Sequence, residues 1–225
     1  MNSHNQESLQ PLQIKVCGMR SAPNMQEILA LQPDWMGFIF YPKSARFVGE
    51  ELDLNLMQKF PASTKKVGVF VNETLGNIQH AVQKYNLNAV QLHGEESPEL
   101  CNHLKASGLL VFKAFSVDDT FDFEKLKAFE GTCDYYLFDT KGQQYGGNGT
   151  TFNWDILKKY TYDTPYFLSG GIDLEHVDQI KELSLPGLKG LDINSRFEIS
   201  PALKDNSKVE AFFKGIRGFK YKKKR

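Results

Sequence analysis

Lys66-Val-Gly-Val-Phe-Val71 is a short β-branched and aromatic run, and Leu75–Tyr85, a segment of helical period, follows it at once. The pattern repeats immediately: Ala89-Val-Gln-Leu92 leads into Pro98–Ala106, with Pro98 near the helix start, where its missing N–H matters least. Apolar strands that do not alternate with polar residues suit burial on both faces, as a parallel sheet requires. The same two-part unit recurs on either side. Upstream lie Ile14–Cys17 with a helix near Met25–Leu31, and Trp35–Phe40 with a helix around Glu50–Phe60. Downstream, Leu109–Ala114 precedes Asp119–Phe129, and Asp134–Phe138 precedes a glycine-rich loop and a helix near Trp154–Tyr160. Tyr166–Leu168 then leads into Leu174–Leu183, and Leu188–Asp192 into Ser207–Ile216. Eight such units without a long linker predict one α/β domain over residues 14–217, a single (β/α)8 TIM barrel. A doubly wound open sheet is the alternative, and the absence of GxGxxG after the first strand speaks against it.

The chain has 225 residues, and its 27 Lys plus Arg balance its 27 Asp plus Glu. Zero net charge gives no electrostatic reason to expect nucleic acid or an anionic membrane as partner. Residues 1–13 are polar and read as a flexible leader without a signal-peptide pattern, and no apolar run approaches the roughly 20 residues of a membrane helix. Residues 218–225 read as a basic, solvated tail. Cys17, Cys101 and Cys133 form neither a CxxC pair nor a metal spacing, which suits free thiols in a reducing cytoplasm.

In a barrel of this kind, chemistry sits at the C-terminal ends of the strands. Cys17 closes the first strand beside Gly18. It is either a small buried apolar residue or a thiol acting as nucleophile or general base. Asp139 closes the sixth strand, either as a turn cap or as a proton carrier at the foot of the glycine-rich loop Thr140–Thr151, which holds Gly147. Ser169-Gly170-Gly171 after strand seven, and Asp192-Ile-Asn194-Ser195 after strand eight, occupy the usual phosphate cradle of barrels; a tight turn needing positive φ is the plainer explanation for the glycines. Arg46 suits a carboxylate or a solvated surface. Gln91 and His93 suit hydrogen bonds to a substrate better than a metal, since no second ligand stands at metal spacing. Asp192 reads more readily as a residue orienting its neighbours. These parts describe a barrel enzyme moving protons on a small phosphorylated substrate. A metal-dependent sugar-phosphate epimerase and a non-catalytic binding module are the competing readings.

Several stretches together resemble the phosphoribosylanthranilate isomerase family. They are Lys15-Val-Cys-Gly-Met19, Gly37-Phe-Ile-Phe-Tyr-Pro-Lys-Ser-Ala-Arg46, Val67-Gly-Val-Phe-Val-Asn72 and Val90-Gln-Leu-His-Gly94. Phe138-Asp-Thr140 with Gly146-Gly-Asn-Gly149, Leu168-Ser-Gly-Gly171 and Asp192-Ile-Asn-Ser195 complete the set. The resemblance implies a cofactor-independent Amadori rearrangement in tryptophan biosynthesis, with Asp139 as general acid and Cys17 as general base. It implies Arg46 at the anthranilate carboxylate and Gly170, Gly171, Asn194 and Ser195 at the phosphate, in a monomer or homodimer. Two positions depart from the familiar pattern: Arg196 replaces a glycine of Ser-Ser-Gly-Val-Glu, and Ala202 stands where Pro-Gly is common. If position 196 needs positive φ, Arg196 is strained there.

Overall fold

The computed structural model describes residues 11–49, 52–140 and 154–218. Its strands are β1 Gln13–Val16, β2 Trp35–Ile39, β3 Lys65–Phe70, β4 Ala89–Leu92, β5 Leu110–Val117, β6 Tyr135–Thr140, β7 Tyr166–Ser169 and β8 Leu188–Ile193. They pair in parallel, in sequence order, and β8 returns to β1 to close the barrel. The α-helices are α1 Ala22–Ala30, α2 Leu54–Gln58, α3 Leu75–Tyr85, α4 Pro98–Ala106, α5 Val177–Glu182 and α6 Asn206–Arg217. The expected leader falls mostly on residues 1–10 and the expected basic tail mostly on 219–225; both stretches, and the loop segment 141–153, lie outside the described residues.

Several connections differ from the expectation. The segments after β5 and β6 form 3-10 helices, Phe123–Phe129 and Trp154–Lys159, and a 3-10 turn Leu174–His176 precedes α5. Asp122 caps the first of these by accepting from the Glu124 N–H, and Phe123 packs edge-on to Phe138 of the sheet at 6.2 Å. The helix after β2 is confined to α2, because Asp53 caps it by accepting from the Asn55 and Leu56 N–H groups. β5 runs on to Val117, since Phe115–Val117 find ladder partners in Phe138–Thr140. A small antiparallel hairpin, β9 Glu198–Ser200 and β10 Leu203–Lys204, was not foreseen at all.

Two cores follow from the period of two along each strand. One residue set, including Ile14, Val16, Met36, Phe38, Val90, Leu92, Tyr136, Phe138, Leu168, Leu191 and Ile193, packs outward under the helices. The alternate set fills the barrel: Trp35, Val67, Ala89, Phe112, Leu137 and Phe167 form a separate cluster. Trp35 meets Phe112 edge-on at 5.1 Å, and Phe112 meets Phe167 at 5.2 Å. This aromatic layer plugs the barrel, so the inward positions one and two steps further along each strand become the floor and wall of the opposite mouth. Gly190 makes the plug possible, because a Cβ there would sit 2.4 Å from the Phe167 ring and 2.7 Å from the Gln13 carbonyl.

Gly190→Ala therefore overpacks the barrel, with an expected loss of about 2 kcal/mol in urea unfolding. Gly76→Ala is the contrasting control. Its Cβ would meet nothing within 4 Å on the exposed first turn of α3, and a gain of about 0.5 kcal/mol is expected there.

Candidate active site

The inward parity that ends in the aromatic plug carries polar groups at the strand C-termini. Cys17, Gln91, His93, Asp139, Ser169, Asp192 and Asn194 converge on one pocket of about 210 Å³, with Arg46, Gly170, Gly171, Ser195 and Arg196 at its rim. Ile39, Val69 and Ile172 supply apolar wall. Of the candidate site residues, Gly147 lies outside the described residues, as does the rest of its loop beyond Thr140. Among the described residues no helix is long and apolar enough to cross a membrane, and no cluster of three metal-ligating side chains occurs.

Cys17 lies immediately after β1, held where its N–H donates to the Ile193 carbonyl at 2.9 Å. Only 4% of it is exposed, and burial pushes its thiol up, a trend Lys15 opposes and Asp192 reinforces. Lys15 and Asp192 are register partners across the β1–β8 seam, so both side chains enter the barrel at one level. Their Nζ and Oδ1 are 2.9 Å apart. Burial pulls the Lys15 ammonium down, but Asp192 and Cys17 outweigh it and hold its pKa above the usual lysine value. Asp192 also accepts from the Ser169 hydroxyl at 3.3 Å. Room for the thiol comes from Gly37, where a Cβ would stand 2.8 Å from Cys17 Sγ and 3.2 Å from Lys15 Nζ.

On the opposite wall, Gln91 Nε2 donates to His93 Nδ1 at 2.8 Å. With Nδ1 accepting, the ring proton sits on Nε2, which faces Asp139 Oδ2 at 3.4 Å. The histidine is thus a bridge from β4 to the carboxyl of β6. Gln91 Oε1 is buried without a partner among the described residues.

Arg46 is anchored rather than solvated. Its Nε and Nη2 donate to Glu198, the shortest contact being 2.7 Å. Glu198 also accepts from Lys204 Nζ at 2.7 Å and from the Ala202 N–H at 3.2 Å. Lys204 completes the knot by donating to Asn194 Oδ1 at 2.8 Å. Burial pushes the Glu198 carboxyl up, yet its bonds to Arg46 and Lys204 outweigh this and hold it below the usual range. The unforeseen hairpin is therefore the mount for Arg46 and Asn194. Lys15, Glu198 and Lys204 escaped assignment to the site from sequence. Lys15 did leave a signal, a lone charge within an apolar strand.

Arg196 lies in a 3-10 turn, Ser195–Phe197, and is not among the residues with positive φ, so the backbone it adopts suits any side chain. The left-handed conformation falls instead on Ala202, at φ 66°. Gly170 and Gly171 have φ of 88° and 66°, a pair of conformations open to glycine with little strain. Lys113, within β5, is a tie beneath the rim: its Nζ donates to the Gly94 carbonyl at 2.7 Å and to Glu96 at 3.2 Å.

The family profile for N-(5'-phosphoribosyl)anthranilate (PRA) isomerase matches residues 14–215. An N-(5'-phosphoribosyl)anthranilate isomerase from Parabacteroides distasonis is 45% identical over 204 residues, spanning 90% of this chain and 92% of the relative. One from Phocaeicola vulgatus is 44% identical, spanning 91% and 97%. Among solved structures, the phosphoribosyl anthranilate isomerase of Thermotoga maritima superimposes with a TM-score of 0.79 at 34% identity, over 92% of this chain and 99% of that one. A phosphoribosyl anthranilate isomerase in complex with reduced 1-(o-carboxyphenylamino)-1-deoxyribulose 5-phosphate gives 0.76 at 31% identity, over the same shares.

Glu198→Ala leaves Lys204 buried without its carboxylate, and a loss of roughly 3 kcal/mol is expected. Because the folded-state pKa of Glu198 is depressed, its contribution is complete above its ordinary value of 4.5 and vanishes as pH falls through the lower folded value. Thermal melts of the two proteins should differ fully at pH 7 and draw together on acidification below pH 4.5. A gap that persists at the lowest pH would contradict this assignment.

Proposed function

The chain belongs to the N-(5'-phosphoribosyl)anthranilate isomerase family, and on that premise we propose which of its residues carry the reaction. The protein is an isomerase of tryptophan biosynthesis. It converts N-(5-phosphoribosyl)anthranilate to 1-(2-carboxyphenylamino)-1-deoxyribulose 5-phosphate, an aldose-to-ketose change that needs one proton delivered and one removed. The observation that carries the assignment of roles is the common pocket of Cys17, from β1, and Asp139, from β6, with the glycine pair 170–171 and Asn194–Arg196 at its rim.

Asp139 is the general acid. It gives its proton to the ribose ring oxygen, the C1–O bond breaks, and the anthranilate nitrogen supplies the electrons that form a Schiff base. His93 Nε2 stands 3.4 Å from one oxygen of this carboxyl, which leaves the other to carry the transferred proton. Cys17, as thiolate, then removes the C2 proton. The electrons move towards the iminium to give an enolamine, which tautomerises to the ketone. The C2 proton goes to sulfur, and no bond from carbon to sulfur is made.

The substrate's two anionic ends fit opposite parts of the rim. Arg46, with Nε and Nη2 held by Glu198, turns its remaining N–H groups to the anthranilate carboxylate. The backbone of Gly170, Gly171, Asn194 and Ser195 receives the phosphate. Arg196, whose charge also depresses the Asp173 pKa alongside Lys208 after burial has pushed it up, adds a cation to that end. The working partner is this small phosphorylated molecule. The enzyme acts in the cytoplasm as a monomer or homodimer, without nucleic acid or membrane.

The test follows the fluorescence of phosphoribosylanthranilate generated in situ. Cys17→Ala and Asp139→Asn should each lower kcat by about 10²-fold or more with much smaller changes in KM. A Cys17→Ala enzyme with near-full rate sinks the base assignment. Arg196→Gly should act at the other end, raising KM several-fold while kcat stays within a factor of about two. An unchanged KM removes Arg196 from the phosphate site.

A further inference from the structure

Lys15 has no solvent exposure, in the middle of an apolar strand. Lysine is seldom buried so completely unless it is paired. Asp192 accounts for the charge, 2.9 Å away across the seam. It does not account for the location. A buried ion pair adds little net stability over an apolar pair of similar volume, and the neighbouring inward positions of the barrel are filled by apolar residues such as Val67, Ala89 and Leu137. What distinguishes position 15 is the residue two steps on, Cys17, which points to the same side of the strand. The Lys15 ammonium and the Cys17 sulfur both crowd the bare α-carbon of Gly37. The glycine removes the only side chain that would separate them on that strand.

We propose that Lys15 is a positioning residue for the catalytic base: its ammonium stabilises the Cys17 thiolate, and Asp192 keeps that ammonium charged and fixed beneath the sulfur. This rests on the reading of Cys17 as the base. Lys15 keeps its own proton throughout; the C2 proton of the substrate ends on sulfur. Other charged groups among the described residues, Arg196 at the rim included, share the pocket with the thiol. Lys204, from β10, also favours the thiolate but is engaged by Glu198 and Asn194. Asp192, from β8, opposes it. Arg46, after β2, lies beside Gly18, where a Cβ would stand 2.9 Å from its Cδ, and its guanidinium is occupied with Glu198. His93 and Asp139 face the thiol from the other wall of the pocket. Lys15 is thus the cation closest in chain and in level to the sulfur, and of the groups around the thiol it opposes most strongly the burial that pushes the thiol up.

The experiment measures Cys17 alkylation by iodoacetamide as a function of pH, with peptide mapping to separate Cys17 from Cys101 and Cys133, alongside the pH profile of kcat/KM. In Lys15→Met the alkylation midpoint should rise by about one pH unit or more, slowing the reaction at pH 7 about tenfold or more. The acid limb of kcat/KM should move with it, and kcat should fall more than KM changes. Lys15→Met also leaves Asp192 unpaired, so the double variant Lys15→Met/Asp192→Asn, which buries no lone charge, is measured in parallel. Its midpoint should also rise, by less than in the single variant. A folded variant of either kind whose midpoint stays at the wild-type pH overturns the proposal, because a purely structural pair would change stability and leave the thiol alone. The two readings fail separately. A shifted midpoint with a fully active Cys17→Ala enzyme would remove the base assignment and keep the coupling, whereas an inactive Cys17→Ala enzyme with an unmoved midpoint would do the reverse.

Discussion

An ammonium group in a dry interior is tolerable only when an anion meets it at hydrogen-bond distance. In this barrel that requirement falls on the seam where the sheet closes. Lys15 and Asp192 come from the first and last strands, and they meet because β1 and β8 pair in a register that sets residue 15 against residue 192. A slip of one residue would turn one of the two charges outward under the helices. The pair therefore couples correct closure of the barrel to satisfaction of its most demanding buried groups. The same register sets Cys17 against the end of β8, and the β7–β8 pairing brings Ser169 within reach of Asp192. The floor of the pocket is thus one electrostatic unit drawn from β1, β7 and β8.

The rim is organised by comparable constraints. Glu198 serves two cations and one backbone N–H, so the loop after β2, the hairpin after β8 and the turn at Ala202 share one anchor. Glu96 does similar work on the other side: it accepts from the backbone N–H groups of Asn72 and Gly94 while pairing with Lys113. The loops after β3 and β4 are thereby tied to each other and to β5 without any apolar core of their own. The Gln91–His93–Asp139 chain lies between these knots, and the Gln91 bond to Nδ1 leaves Nε2 towards the carboxyl. Chemistry that needs a base and an acid on facing walls depends on such fixed distances, because loops alone would let the two groups drift.

The departures from the family pattern redistribute strain instead of adding it. A glycine at position 196 is dispensable because the 3-10 turn there takes ordinary backbone angles. The left-handed residue is Ala202, next to Pro201 in the hairpin turn, and its N–H is the one that supports Glu198. An exposed arginine at the phosphate end then becomes compatible with the fold, since the turn makes no demand that only glycine can meet.

The barrel was legible in the sequence because burial on both faces leaves a strong local mark: short β-branched and aromatic runs, each followed by a segment of helical period. The polar residues that end those runs, such as Cys17, Asp139 and Asp192, were legible for the same reason, as breaks in an apolar pattern at a predictable height. Helix type was not, because an α or 3-10 turn after β5 depends on how Phe123 packs against the sheet. The β9–β10 hairpin was missed because strands of three and two residues carry too little periodicity to register. Arg46 shows the limit most clearly. Its residue type suggested carboxylate recognition, but its partner Glu198 lies 152 positions away. Local sequence fixes which side chains point into a barrel. Which of them are joined to one another depends on the shear and closure of the sheet, and those arise only when every strand has found its neighbour.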